Sequence, residues 1–107
     1  MSLGVSLTSV VGTSFFDANI THNLGVMAEA AGLYKALWRP EEIGIENASQ
    51  LIQILEIGIG KLKSHPELFT HLNPANGWGN YELLVTFCDK YIEACRQHPD
   101  AKVSADR

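Results

Sequence analysis

The chain has 107 residues, of which 46% are hydrophobic and 19% charged, and a formal net charge of −4. These values suit one folded domain with a modest core and exclude wholesale disorder. The eight Lys and Arg residues are dispersed, so no clustered basic face is available for phosphates and we expect no nucleic-acid partner. No apolar run approaches the roughly 20 residues of a membrane span, so we expect no membrane partner and a cytoplasmic location.

The N-terminal segment, residues 1–14, is rich in Ser, Gly, Thr and Val and has no helical periodicity. We expect this segment to be loose, and its start, Met1-Ser2-Leu3, is typical of cloning. A single compact helical domain is expected over residues 15–107. Within it, Phe15–Thr21 predicts a short strand, and Lys102–Ser104 predicts its partner in a two-stranded β-ribbon that joins the termini.

Apolar residues at three- and four-residue steps predict three main helices, over about Leu24–Trp38, Ala48–Lys63 and Tyr81–Gln97. Between the last two, Ser64-His65-Pro66-Glu67 has the spacing of a capping box and predicts a short helix through Leu72. The predicted fold class is therefore mainly α (α+β). It consists of a small three-helix bundle plus one short helix, with the terminal β-ribbon added.

The start and the end of the second predicted helix carry distinct signals. Asn47, followed by Gln50, resembles a reciprocal capping box. Gly58 and Gly60 each cost about 1 kcal/mol relative to Ala in a helix interior. Their proximity indicates either the close approach of another backbone or a bent or frayed helix end.

The two cysteines, Cys88 and Cys95, are separated on one predicted helix by about 10.5 Å along its axis, too far for a disulfide. We interpret them as small buried hydrophobic residues in a reducing compartment. Neither has a Cys or His at metal-finger spacing, and His65, His71 and His98 show no such spacing with each other. We therefore expect no metal and no cofactor.

Five of the six asparagines fall in two segments, 19–23 and 73–80, each immediately before a predicted helix. Amides donate and accept hydrogen bonds without charge, which suits a polar neutral ligand or a nucleobase edge. The alternative is that these asparagines only cap helices and form left-handed turns. If the two helix N-termini converge, their free N–H groups favour a polar or anionic ligand. The candidate ligand-binding residues are Asn19, Thr21, His22, Asn23, Asn76, Gly77, Trp78, Gly79 and Asn80.

Two of these candidates have a sharper interpretation. Trp78 lies in a loop where no periodic pattern requires it, so its indole either stacks on a base or sugar or caps the bundle. His22 is the best candidate for a general base because a helix start favours neutral imidazole, although a lone histidine beside a cap is more often a surface or packing residue. Asp17 is its only nearby carboxylate, and a Thr–His–Asp set from contiguous residues would be geometrically unusual. No complete catalytic set can be assembled, so catalysis stays open.

An ordered series of short motifs runs through most of the chain. They are Asn19-Ile20-Thr21-His22-Asn23-Leu24, Met27-Ala28, Ala31-Gly32, Leu37-Trp38, Asn73-Pro74, Asn76-Gly77-Trp78-Gly79, Tyr81, Ala94-Cys95 and His98-Pro99-Asp100-Ala101. From Phe15 onward the pattern resembles a family of small uncharacterised proteins of bacteriophages, prophages and their bacterial hosts. That family carries no assigned activity, so the resemblance implies only a phage-associated cytoplasmic setting.

Two functions follow as hypotheses. The first is a phage-type accessory protein that binds a small polar ligand, of the nucleotide or sugar class, in a pocket between two helix N-termini. The second is a protein–protein interaction module with Trp78 as its interface anchor. Its partner would be a host or virion protein, or a second copy in a homodimer.

Overall fold

A three-stranded antiparallel sheet with helices on one face organises the part of the chain that the computed structural model describes, residues 2–107. The strands are β1 (Ser2–Thr8), β2 (Ser14–Thr21) and β3 (Lys102–Asp106), in the spatial order β2-β1-β3. The helices are α1 (Gly25–Ala30), α2 (Tyr34–Trp38), α3 (Ser49–Ser64), α4 (Pro66–Thr70) and α5 (Tyr81–Gln97). Single 3₁₀ turns, His22–Leu24 and Pro40–Ile43, precede α1 and follow α2.

The predicted mainly α class, a three-helix bundle with a terminal ribbon, is wrong because β1 is the central strand of a true sheet. Leu3, Val5 and Leu7 point into the core and are almost fully buried. Residues between them, such as Gly4 and Ser6, lie on the outer face of the sheet. This strict alternation of apolar and small polar residues is the pattern of a half-buried strand. The segment expected to be loose therefore supplies the middle of the sheet.

The predicted strands over Phe15–Thr21 and Lys102–Ser104 are both present, but their predicted pairing with each other is wrong. β1 lies between them and forms both ladders, with Ser6 opposite Asp17 on one side and opposite Ser104 on the other. A hairpin loop over residues 9–13 connects β1 to β2 directly. The inner face of the sheet is apolar, and its outer face is polar apart from the exposed Phe15.

The first predicted helix is interrupted at residues 31–33 because Gly32 adopts a left-handed conformation with φ of 76°. The N–H of Gly32 donates to the carbonyl of Glu29, and the N–H of Leu33 donates to the carbonyl of Ala28 at 2.8 Å. These two bonds make a Schellman motif, which ends α1 and turns the chain. The sequence pattern does not reveal this break, because apolar residues at helical spacing continue from α1 into α2.

Gly58 in α3 receives the side chain of Leu33 from this turn. A Cβ built at Gly58 would overlap Cγ and both Cδ atoms of Leu33, whereas a Cβ at Gly60 would meet nothing. The close neighbour is therefore a leucine side chain and not a second backbone. Leu33 itself is fully buried.

The two long predicted helices are confirmed as α3 and α5, and the predicted short helix as α4. At the start of α3, the Gln50 carboxamide accepts the N–H of Asn47 at 3.0 Å, which is one half of the predicted capping box. The predicted box at residues 64–67 is not formed, since the N-terminus of α4 has no side-chain cap. Within residues 2–107, no helix has both the length and the apolar content needed to cross a bilayer.

Both cysteines lie on the buried side of α5, as predicted, and neither forms a disulfide. Burial raises the pKa of Cys88 and of Cys95 to about 12, because the apolar surroundings disfavour a thiolate. The same desolvation raises the pKa of Tyr91, one turn from each thiol. These three groups are neutral parts of the core.

Candidate ligand-binding site

A groove forms where the end of β2, the following 3₁₀ turn and the Asn-rich loop before α5 come together. We call it the Trp78 groove. Its volume is about 540 Å³, within the range of about 300–1,000 Å³ typical of small-molecule sites. Its lining residues are Ser2, Asn19, Ile20, Thr21, Asn23, Asn76 and Trp78. The two asparagine-rich segments, separated by some fifty residues in sequence, therefore meet in space.

Trp78 is placed by hydrogen bonds within its own loop. The N–H of Gly77 donates to the carbonyl of Pro74 at 3.2 Å, and Gly77 has a φ of 75°, which closes a tight turn. The N–H of Trp78 then donates to Oδ1 of Asn76 at 3.0 Å. The indole is 70% exposed and does not enter the core. Trp78 therefore does not cap the bundle.

Gly79 brings the loop against the end of β2. Its φ is 99°, and a Cβ built there would lie 2.7 Å from Cγ2 of Thr21 and 3.1 Å from Cγ of Leu24. Only a glycine allows both this backbone conformation and this approach. The contact between the two predicted segments thus depends on the absence of a side chain at residue 79.

Side-chain caps occupy three of the N–H groups that the sequence suggested would be free for a ligand. Oγ1 of Thr21 accepts the N–H of Asn23 at 3.2 Å. At α5, Oδ1 of Asn80 accepts the N–H of Leu83 at 2.9 Å, and Oδ1 of Asn73 accepts the N–H of Tyr81 at 2.8 Å. Thr21, Asn73 and Asn80 therefore cap the helix starts, and Thr21 also lines the groove together with Asn19, Asn23 and Asn76.

His22 lies apart from the Trp78 groove. Its Nδ1 accepts a hydrogen bond from Nε1 of the buried Trp38 at 2.8 Å. The imidazole contributes to a separate shallow groove with Val26, Glu29 and Tyr34. This arrangement corresponds to the packing interpretation of His22, and it does not bring the imidazole to Trp78.

In the described residues, Asp17 forms no hydrogen bond with His22. Oδ2 of Asp17, the nearest carboxylate in sequence, accepts a hydrogen bond from the Ser14 hydroxyl at 2.7 Å, on the outer face of the sheet. In the described part of the chain, no group of three or more His, Cys, Asp or Glu side chains is arranged to hold a metal ion.

Ser2 and Ile20 line the Trp78 groove and were not among the predicted residues. Ser2 was missed because residues 1–14 were expected to be loose, although the alternation Ser-Leu-Gly-Val-Ser-Leu-Thr signals a strand. Ile20 is buried and forms part of the groove floor. Of the predicted residues that do not line the groove, Gly77 and Gly79 shape its loop and Asn80 caps α5.

No protein-family model matches the chain, and neither a curated protein nor a solved structure matches it. The chemical character of the site is therefore the basis for a function. The groove combines an exposed aromatic ring with amide and hydroxyl groups and contains no ionisable side chain among its described lining residues. Such a surface can stack a flat or ring-shaped molecule and hydrogen-bond its edges.

Proposed function

We propose that this protein binds a small polar ligand, of the nucleotide or sugar class, in the Trp78 groove. The observation that carries the proposal is the convergence of two asparagine-rich segments beside a 70% exposed indole. The backbone of the loop that carries Trp78 is held by its own hydrogen bonds, so the loop is ordered without a ligand. Preorganisation of this kind reduces the entropy lost on binding.

The setting that we propose is that of a phage-type accessory protein, and it rests on the resemblance of the motifs from Phe15 onward. His22 has no part in the proposed site because its Nδ1 is engaged by Trp38. We do not assign catalysis to the groove, since an amide, a hydroxyl and an indole supply no general base at neutral pH.

Intrinsic fluorescence tests this proposal because the two indoles differ sharply in exposure. Trp78 is 70% exposed and Trp38 is 2% exposed, so a ligand in the groove should alter the emission of Trp78 and protect it from a soluble quencher. A panel of nucleosides, nucleotides and sugars should contain at least one compound that does so and that raises the melting temperature. If no compound alters quenching or melting and no insoluble glycan retains the protein, the proposal is wrong.

The exposure of Trp78 also favours a second candidate function, an interaction module with this indole as its interface anchor. Leu68 and Leu83 add further exposed apolar side chains on α4 and α5. Large aromatic side chains often dominate the binding energy of protein interfaces. Light scattering distinguishes a homodimer: Trp78→Ala should abolish self-association if the indole anchors it, whereas unchanged association would oppose this role.

A further inference from the structure

We infer that the ligand of the Trp78 groove is a neutral sugar ring and not a phosphorylated nucleotide, an inference that rests on the proposed function. The first reason is charge. None of the seven lining residues is ionisable, and the whole chain has a net charge of −4. A phosphate entering this groove would lose part of its hydration without meeting a Lys or Arg among the lining residues.

The second reason is that two main-chain donors of groove-lining residues are already engaged. The N–H of Asn23 is bonded to Oγ1 of Thr21 and the N–H of Trp78 to Oδ1 of Asn76. Phosphate sites without basic side chains depend on clusters of free main-chain N–H groups. The bonds at Asn23 and Trp78 take two main-chain donors away from any such cluster.

The third reason is the complement of free side-chain groups. Within residues 2–107, no side-chain hydrogen bond occupies the amides of Asn19 and Asn23, and Nδ2 of Asn76 remains available as a donor. Each amide can therefore donate to one hydroxyl and accept from another. Sugar hydroxyls, which do both, match this pattern on adjacent ring positions.

The fourth reason is the indole itself. The face of a sugar ring that carries C–H groups is weakly apolar, with partial positive charge on its hydrogens. The face of an aromatic ring is apolar and partially negative, so the two surfaces are complementary. The Trp78 indole would cover the C–H face of the sugar while Asn19 and Asn23 bind its hydroxyl edge.

The test compares the binding of neutral and charged probes to the folded protein. Binding is measured as protection of Trp78 fluorescence from a soluble quencher. The sugars are glucose, N-acetylglucosamine, maltotriose and chitotriose; the comparison compounds are adenosine, AMP and inorganic phosphate. At least one sugar should protect Trp78, with an affinity that does not change when the salt concentration is raised. AMP and phosphate should have no effect.

Variants show whether the binding uses the inferred groups. Measured by titration calorimetry, which does not depend on the indole, Trp78→Ala should weaken sugar binding at least tenfold. Asn19→Asp, which removes the amide donor at nearly constant shape, should weaken it severalfold. His22→Ala is the control and should leave the affinity unchanged, because His22 lies in the other groove. Sugar binding that survives both Trp78→Ala and Asn19→Asp, in variants with an unchanged circular dichroism spectrum, would overturn the inference.

The remaining outcomes separate this inference from the proposed function. Protection of Trp78 by adenosine or AMP, with no effect of any sugar, would support the proposed function and overturn the sugar inference. No effect of any probe, together with no retention on insoluble chitin, starch or bacterial cell wall, would overturn both. Retention on one of these polymers without binding of the free sugars would support the inference and identify the source as a polymeric glycan.

Discussion

The buried indole of Trp38 donates a hydrogen bond from Nε1 to Nδ1 of His22 across 2.8 Å. Because an acceptor nitrogen carries no proton, the neutral imidazole bears its proton on Nε2. A residue that the sequence suggests as a base is thereby the partner of a core side chain. Tyr34, stacked on Trp38 with ring centroids 5.3 Å apart, completes the cluster.

His22→Ala should lower the free energy of unfolding by about 1–3 kcal/mol, since it leaves the indole N–H of Trp38 without its partner. Urea denaturation measures the loss. In NMR spectra, the indole proton of Trp38 should also move upfield. His71→Ala, at an exposed histidine, is the matched control and should change stability little. Equal stabilities of the two variants would contradict this role of His22.

Gly58→Ala and Gly60→Ala should change stability in opposite directions although both place Ala in α3. At Gly60 the new methyl group meets nothing, so the variant should gain about 1 kcal/mol from helix propensity. At Gly58 the methyl group would collide with Leu33, and overpacking of this kind costs about 1–3 kcal/mol. Urea denaturation of the two variants measures the difference, and a gain at both positions would show that Leu33 yields freely.

Gly79→Ala should weaken both stability and ligand binding more than Gly77→Ala does. Both glycines have positive φ, so Ala costs about 1–2 kcal/mol of backbone strain at either position. Only at Gly79 would the new Cβ also lie 2.7 Å from Thr21, which pushes the loop away from β2. Thermal melting and the quenching titration measure the two effects. Indistinguishable variants would show that the close approach of the loop is unimportant.

Stability should decline in alkali between about pH 9 and pH 12 because the pKa of Cys88 is raised to about 12 in the folded protein. Below this window the thiol is protonated in both the folded and the unfolded state, and its contribution is complete. Within it, the unfolded thiol ionises and the buried one does not, so the unfolded state holds fewer protons. Each such thiol then removes about 1.4 kcal/mol of stability per pH unit.

Cys88→Ala isolates this effect. The variant should be less stable at every pH because of its cavity, yet its stability should fall less steeply in alkali than that of the parent protein. Burial also raises the pKa values of Cys95 and Tyr91, so the variant should still lose some stability as the pH rises. Urea denaturation at a series of pH values gives the slope of stability against pH for both proteins. Identical slopes would show that Cys88 ionises as readily in the folded state as in the unfolded state.

The helical part of the fold was predictable because its signals are local. In α5, the residues of the predicted apolar stripe, such as Phe87 and Tyr91, are all buried. The interruption after α1 was missed because Ala31 and Tyr34 continue the apolar stripe of the first predicted helix on either side of Gly32. The sheet was predicted poorly for another reason: strand pairing depends on contacts between distant residues, which no local pattern specifies.

The candidate site was predictable in composition but not in assembly. Asparagine clusters and an unexplained tryptophan were visible in the sequence, and Asn19, Asn23 and Asn76 do line one groove with Trp78. His22 was wrongly placed in this site because its neighbours in sequence, Thr21 and Asn23, do line the groove. In the structure, the side chain of His22 is directed toward Trp38. Neighbouring residues in a turn point in different directions, and only the fold decides which ones share a surface.

The position of β1 in the middle of the sheet has a consequence for the order of folding. Its ladder with β2 closes through a short loop, but its ladder with β3 joins Ser6 to Ser104. During synthesis the hairpin can form early, although an isolated hairpin is only marginally stable. Burial of the β1 side chains Leu3, Val5 and Leu7 then requires both the helices and β3. Completion of the sheet is therefore a late event, possible only once residues 102–106 have left the ribosome, and β1 lacks one of its two neighbours until then.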